Sequence, residues 1–172
     1  MKKHGAATKV AYPAILGALS LILVYVAAIA PSGKWGIVAV AGLFPTAAVI
    51  SVSLKAGLLC WAGVSLLAFL LLPDKLCALI YCVLFGLYPM VKSLIERLRR
   101  LPLEYALKLA FFNIAFTFIY VVMRTAVLNS LPSALSTVWV LYVAANVVFL
   151  LYDFGFSKLI GLYVTRINRA VR

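Results

Sequence analysis

The chain has 172 residues, 66% of them hydrophobic, and a mean hydropathy of +1.14, where soluble domains are at most about half apolar. Sixteen Lys and Arg against four Asp and Glu give a net charge of +12. The cations lie between apolar runs, so retention of Lys and Arg on the cytoplasmic side of a membrane accounts for them and no nucleic-acid partner is expected. With only four acids and one histidine, His4, there is little for acid–base chemistry. No Ser-His-Asp set, HExxH or Walker A is present, so no enzyme is expected. Cys60, Cys77 and Cys82 sit inside apolar runs without CxxC spacing, which gives no disulfide framework, metal site or cofactor.

In chain order, Lys2, Lys3 and Lys9 precede an apolar run over residues 10–30, with Pro13 near its start, where a missing N–H costs little. Ala28-Ile29-Ala30 offers a signal-peptide cleavage pattern. The run is longer than a signal core, however, and Pro31 would follow the cut, so an uncleaved first span is expected. Residues 31–35 read as a turn with an interfacial Trp35. Residues 36–72 are apolar except for Lys55. As one helix they would reach roughly 55 Å, against a hydrocarbon core of about 30 Å, so two spans are expected, 36–53 and 56–72, turning at Ser53-Leu54-Lys55. Pro45 should kink the first of these.

Pro73-Asp74-Lys75 breaks the chain before a fourth span over 76–91. That span runs into a basic loop with Lys92, Arg97, Arg99 and Arg100 against Glu96, the pattern of a helix leaving into the cytoplasm. Spans five and six follow over residues 104–128 and 135–156, and the tail GLYVTRINRAVR reads as a short interfacial helix. The expected fold is therefore all-α: one integral membrane domain over residues 1–172 with six transmembrane helices, in the cytoplasmic membrane. With both termini on one side, only Lys34, Lys75 and Arg124 of the 16 cations fall on the other, so both termini are expected to face the cytoplasm.

Polar residues within spans are costly in lipid and often functional. Asn113 and Asn146 fall at similar depths of spans five and six, which suits a hydrogen bond between the two helices or a polar floor to a cavity. Lys108 and Asp153 fall together nearer the inner face, as an ion pair for which Lys92 competes. Near the outer face, Arg124 either snorkels to headgroups or holds an anionic ligand together with Lys34 and Lys75. Trp35 and Trp139 are belt residues or the walls of an aromatic outer cup. In span one, Ala14 and Ala18 make an A-x-x-x-A face suited to close helix approach, with Ala11 one turn earlier.

With six spans, a basic start running into span one and that alanine motif, nearly the whole chain resembles the substrate-binding S component of energy-coupling factor (ECF) transporters. The resemblance implies a subunit that captures a small vitamin-like molecule at the outer face, for ATP-driven uptake by a coupling subunit and separate ATPases. It implies coupling through Ala14 and Ala18. It implies a covering loop at Gly33 to Trp35 and ligand contacts from Trp35, Asp74, Lys75, Arg124, Asn129, Trp139 and Asn146. The alternative is a non-transporting six-span scaffold of the cell-envelope or cell-shape machinery, with the basic loop and tail as its contact surfaces.

Overall fold

The computed structural model describes residues 6–124 and 138–170, with side chains over 10–124 and 138–165. The helices are α1 (Ala6–Ile29), α2 (Lys34–Ala41), α3 (Leu43–Ser51), α4 (Leu54–Leu71), α5 (Lys75–Ile80), α6 (Tyr88–Ile95), α7 (Leu101–Val122) and α8 (Val138–Ala170). A π-helical segment, Tyr81–Phe85, joins α5 to α6, and a 3-10 turn, Glu96–Leu98, follows α6. No strand occurs among the described residues.

Six stretches are long and apolar enough to cross a membrane: Val10–Ile29, Lys34–Ser51, Leu54–Leu71, Lys75–Leu98, Leu101–Val122 and Val138–Thr165. Their number and order match the six expected spans; residues 125–128 of the fifth and 135–137 of the sixth lie outside the described residues. Two are composite, α2 with α3, and α5 with the π segment and α6. Large side chains such as Ile15, Leu59, Leu70, Ile114 and Val121 point outward, as on helices whose solvent is lipid rather than water.

Several boundaries differ from the sequence reading. Helix α1 begins at Ala6, so Pro13 lies well inside it rather than near its start. The fourth span continues past residue 91 to Leu98, and α7 starts at Leu101 with Pro102 in its first turn. The tail is no separate element, since α8 is continuous to Ala170. Its 33 residues measure roughly 50 Å at 1.5 Å per residue, longer than a hydrocarbon core of about 30 Å.

The chain forms two compact units, Met1–Met123 and Arg124–Arg172. In the first, α1 packs on α2, α3 and α4, and α3 on α4 and α6. Leu16, Ala48 and Cys60 form a core flanked by Tyr12, Phe44 and Ala47. The connections are short, and Ser53 and Asp74 cap the helices that follow them. Gly33, at φ +71°, takes the left-handed conformation that glycine adopts without strain before α2. The Ser53 hydroxyl accepts from the Ala56 amide and starts α4 after a two-residue turn. The second unit, in its described part, is the single helix α8 preceded by Arg124.

Candidate functional site

The middle of the first unit is built around two prolines. Pro45 has no N–H, so the Ala41 carbonyl, four residues earlier, loses its helical donor, and the helix breaks there into α2 and α3. Ser20 of α1 supplies the missing donor: its Oγ lies 2.9 Å from Ala41 O and 2.9 Å from the Tyr81 hydroxyl. A carbonyl only accepts, so the serine proton goes to Ala41 and the tyrosine proton to the serine. Ser20, Ala41 and Tyr81 are all fully buried.

Pro89 of the fourth span has no N–H for the Phe85 carbonyl, four residues earlier. There the helix widens into the π segment, with the Gly86 amide donating to Tyr81 O at 2.7 Å. Trp61 of α4 donates from Nε1 to Cys82 O at 2.8 Å. The two irregular stretches meet: a Cβ built on Gly42 would lie 2.5 Å from the Phe85 carbonyl oxygen. Broken helices at mid-membrane depth line binding sites in many transporters, but here the two backbones touch at Gly42 and Phe85, and the freed Ala41 carbonyl is bonded to Ser20. This region is a packed joint: Ser20, Ala41 and Tyr81 are fully buried in it. The kink at Pro45 was legible in the sequence. The π segment, Ser20, Tyr81 and Trp61 were missed, although a proline four residues after a buried carbonyl was an available signal.

At the end of the first unit that carries the 30–33 and 72–74 connections, the expected outer-cup residues have other partners. Lys34 Nζ pairs with Asp74 Oδ2 at 3.0 Å, and the same ammonium lies 5.9 Å from the centroid of the half-buried Trp35 ring. Asp74 caps α5 by accepting from the Leu76 amide at 2.9 Å, and accepts from Cys77 Sγ at 3.3 Å. Burial pushes the Asp74 carboxyl up. The hydrogen bonds from Lys34 and Cys77, the Lys34 charge and the Leu76 amide outweigh it and hold the group below the ordinary carboxylate range. Lys75 turns back on α4 and donates to the carbonyls of Phe69 at 2.6 Å and Leu72 at 2.9 Å, satisfying its open C-terminal end. The structure thus brings Trp35, Asp74 and Lys75 to one end and engages both lysines in holding the connections.

The remaining expected ligand residues belong to the second unit. Arg124 is exposed and Trp139 is 83% exposed. Asn146, two turns after Trp139, donates its amide to Tyr142 O of its own helix at 2.8 Å. Asn113 of α7 likewise donates to Leu109 O at 2.8 Å. Asn129 lies outside the described residues. At the opposite end of the first unit, Lys108 and Lys92 both reach Glu96 Oε1, at 3.0 and 2.9 Å. Both lysines are buried, at 6% and 2% exposure, and each ammonium lies 5.8 Å from a tyrosine ring centroid, Tyr105 and Tyr88 respectively. In the sequence Glu96 is the lone acid of a basic loop; in the fold it joins α6 to α7 through Lys92 and Lys108.

A cavity of about 560 Å³ lies between α1 and α4. Ala14, Gly17 and Ala18 line it from α1, and Cys60, Gly63 and Val64 from α4. It is an open groove: Ala14, Ala18 and Gly63 are exposed, and a Cβ built on Gly63 meets nothing within 4 Å. The alanines expected to make a helix-packing face therefore form one wall of a groove with small residues on both sides. Among the described residues no cluster of His, Cys, Asp or Glu suits a metal ion. Comparison of the chain with family models, curated proteins and solved structures finds no match.

Proposed function

We propose that this multi-pass membrane protein is the substrate-capturing subunit of an ECF-type transporter in the cytoplasmic membrane, with both termini inside. It binds a small vitamin-like molecule at the outer face and hands it to a coupling subunit driven by separate ATPases. The observation that carries this reading is the groove of small residues. Ala14 and Ala18 stand exposed along it, opposite Gly63. In lipid no hydrophobic force drives helices together, so close van der Waals approach over small side chains is what docks a partner helix. The orientation is supported by the ends of the first unit: Lys55, Arg97, Arg99 and Arg100 lie at the α1 N-terminal end, Lys34 and Lys75 at the other.

A scaffold of the cell-envelope machinery is the second reading, and one observation favours it. Lys34 and Lys75, two of the three cations assigned to the outer side, are tied into the connections, while Arg97, Arg99 and Arg100 are exposed at the other end. Affinity purification from native membranes separates the two. A transporter subunit brings ATPases and a coupling protein, and loses them on Ala14→Trp with Ala18→Trp. A scaffold brings envelope proteins and loses them on replacement of the three arginines. Absence of ATPase subunits from the wild-type preparation ends the transporter reading.

A further inference from the structure

The α1–α4 groove has two features that helix docking does not use. The first is its length. On α1 it runs from Val10 to Leu21 and on α4 from Lys55 to Leu67. Eleven residues of helix measure roughly 17 Å, close to half of a hydrocarbon core of about 30 Å, so the groove is one leaflet deep. The second is its end. Apart from Ser53 and Lys55 its lining is apolar or glycine. The Ser53 hydroxyl oxygen accepts from the Ala56 amide, and no carboxylate pairs with Lys55 among the described residues. An apolar channel one leaflet long that ends on an exposed cation is complementary to one chain of an anionic lipid.

We propose that the groove holds an acyl chain of an anionic phospholipid, with the phosphate on Lys55. The chain lies against Ala14, Ala18 and Gly63, where small side chains leave room for methylenes. The headgroup stays at the membrane face beside the turn between α3 and α4. A zwitterionic lipid gains the same apolar contact and less from the cation, so the groove selects on charge. This inference does not rest on transport, since it concerns what fills the groove of the chain alone. A partner helix seated over Ala14 and Ala18 would displace the lipid.

The test uses the purified full chain in detergent with equal amounts of phosphatidylglycerol and phosphatidylcholine bearing identical acyl chains, and counts retained lipids by native mass spectrometry. One lipid is expected, with the anionic form favoured about fivefold, the worth of one lysine near a lipid surface. Lys55→Gln should bring the ratio to about one, and Lys55→Arg should keep it. Gly63→Leu should lower occupancy by both lipids. Equal retention of the two lipids by the wild type overturns the proposal, as does a preference that survives Lys55→Gln. Lys55→Gln changes an exposed side chain, so the test stands even where Gly63→Leu fails to fold. Failure to capture ATPases leaves this result untouched.

Discussion

Removing the Ser20 hydroxyl tests the reasoning about the proline break most sharply. In Ser20→Ala the Ala41 carbonyl has neither a helical donor, because of Pro45, nor the serine, and the Tyr81 hydroxyl loses its acceptor. All three residues are fully buried. An unsatisfied buried group costs about 1–3 kcal/mol, and hydrogen bonds in membrane proteins average about 0.6 kcal/mol, so a loss of about 1–2 kcal/mol is expected. The account further says that the serine matters because of the proline. Pro45→Ala restores an N–H four residues after Ala41, and Gly42 at φ −63° already has nearly helical backbone. In that background Ser20→Ala should cost about 1 kcal/mol less than in the wild type. Denaturant unfolding in mixed micelles of the wild type, both single variants and the double variant measures this. If the two substitutions add to within about 0.5 kcal/mol, the serine is not replacing the proline's missing donor.

Gly42→Ala places a methyl 2.5 Å from the Phe85 carbonyl oxygen and should destabilise by about 1–3 kcal/mol. Gly63→Ala meets open space and should be neutral or stabilising by up to about 1 kcal/mol; the same unfolding assay compares them. Asp74 has a depressed folded-state pKa, so its stabilisation is present above the ordinary carboxylate range and fades as the pH falls through the depressed value. Asp74→Asn should lower Tm by about 2–4 °C at neutral pH, consistent with a partly exposed pair worth about 1 kcal/mol. The gap to wild type should narrow in acid, and a gap independent of pH would place the effect elsewhere. For topology, single cysteines at Gly33 and Ser130 in a cysteine-free background should be labelled by an impermeant maleimide from outside, and one at Ser93 should not; the reverse pattern inverts the protein.

The number of spans was legible because lipid imposes runs of about 20 apolar residues and leaves charges only at their ends. The kink at Pro45 was legible because the loss of a donor is local. The π segment was not. It lies just before Pro89, and a switch from four- to five-residue hydrogen bonding leaves no mark on hydropathy. Ala14 and Ala18 were readable as one face because they recur at helical spacing, whereas the other wall of the groove, Gly63 and Cys60, comes from a helix more than 40 residues later. The outer residues show the same limit. Nothing local says that Lys34 meets Asp74 across 40 positions. The backward turn of Lys75 follows from the open carbonyls of α4, and there the helix-end chemistry available in the sequence was passed over in favour of a ligand.

The measurement that most directly tests the proposed function is site-specific photocrosslinking in growing cells. A photoreactive residue at position 18, in the groove, is compared with one at position 99, in the basic loop. The transporter account predicts that position 18 joins the chain to a membrane coupling protein whose complex contains ATPase subunits, and that Ala14→Trp removes that product. If position 18 yields only lipid adducts while position 99 captures an envelope protein, the transporter account is contradicted.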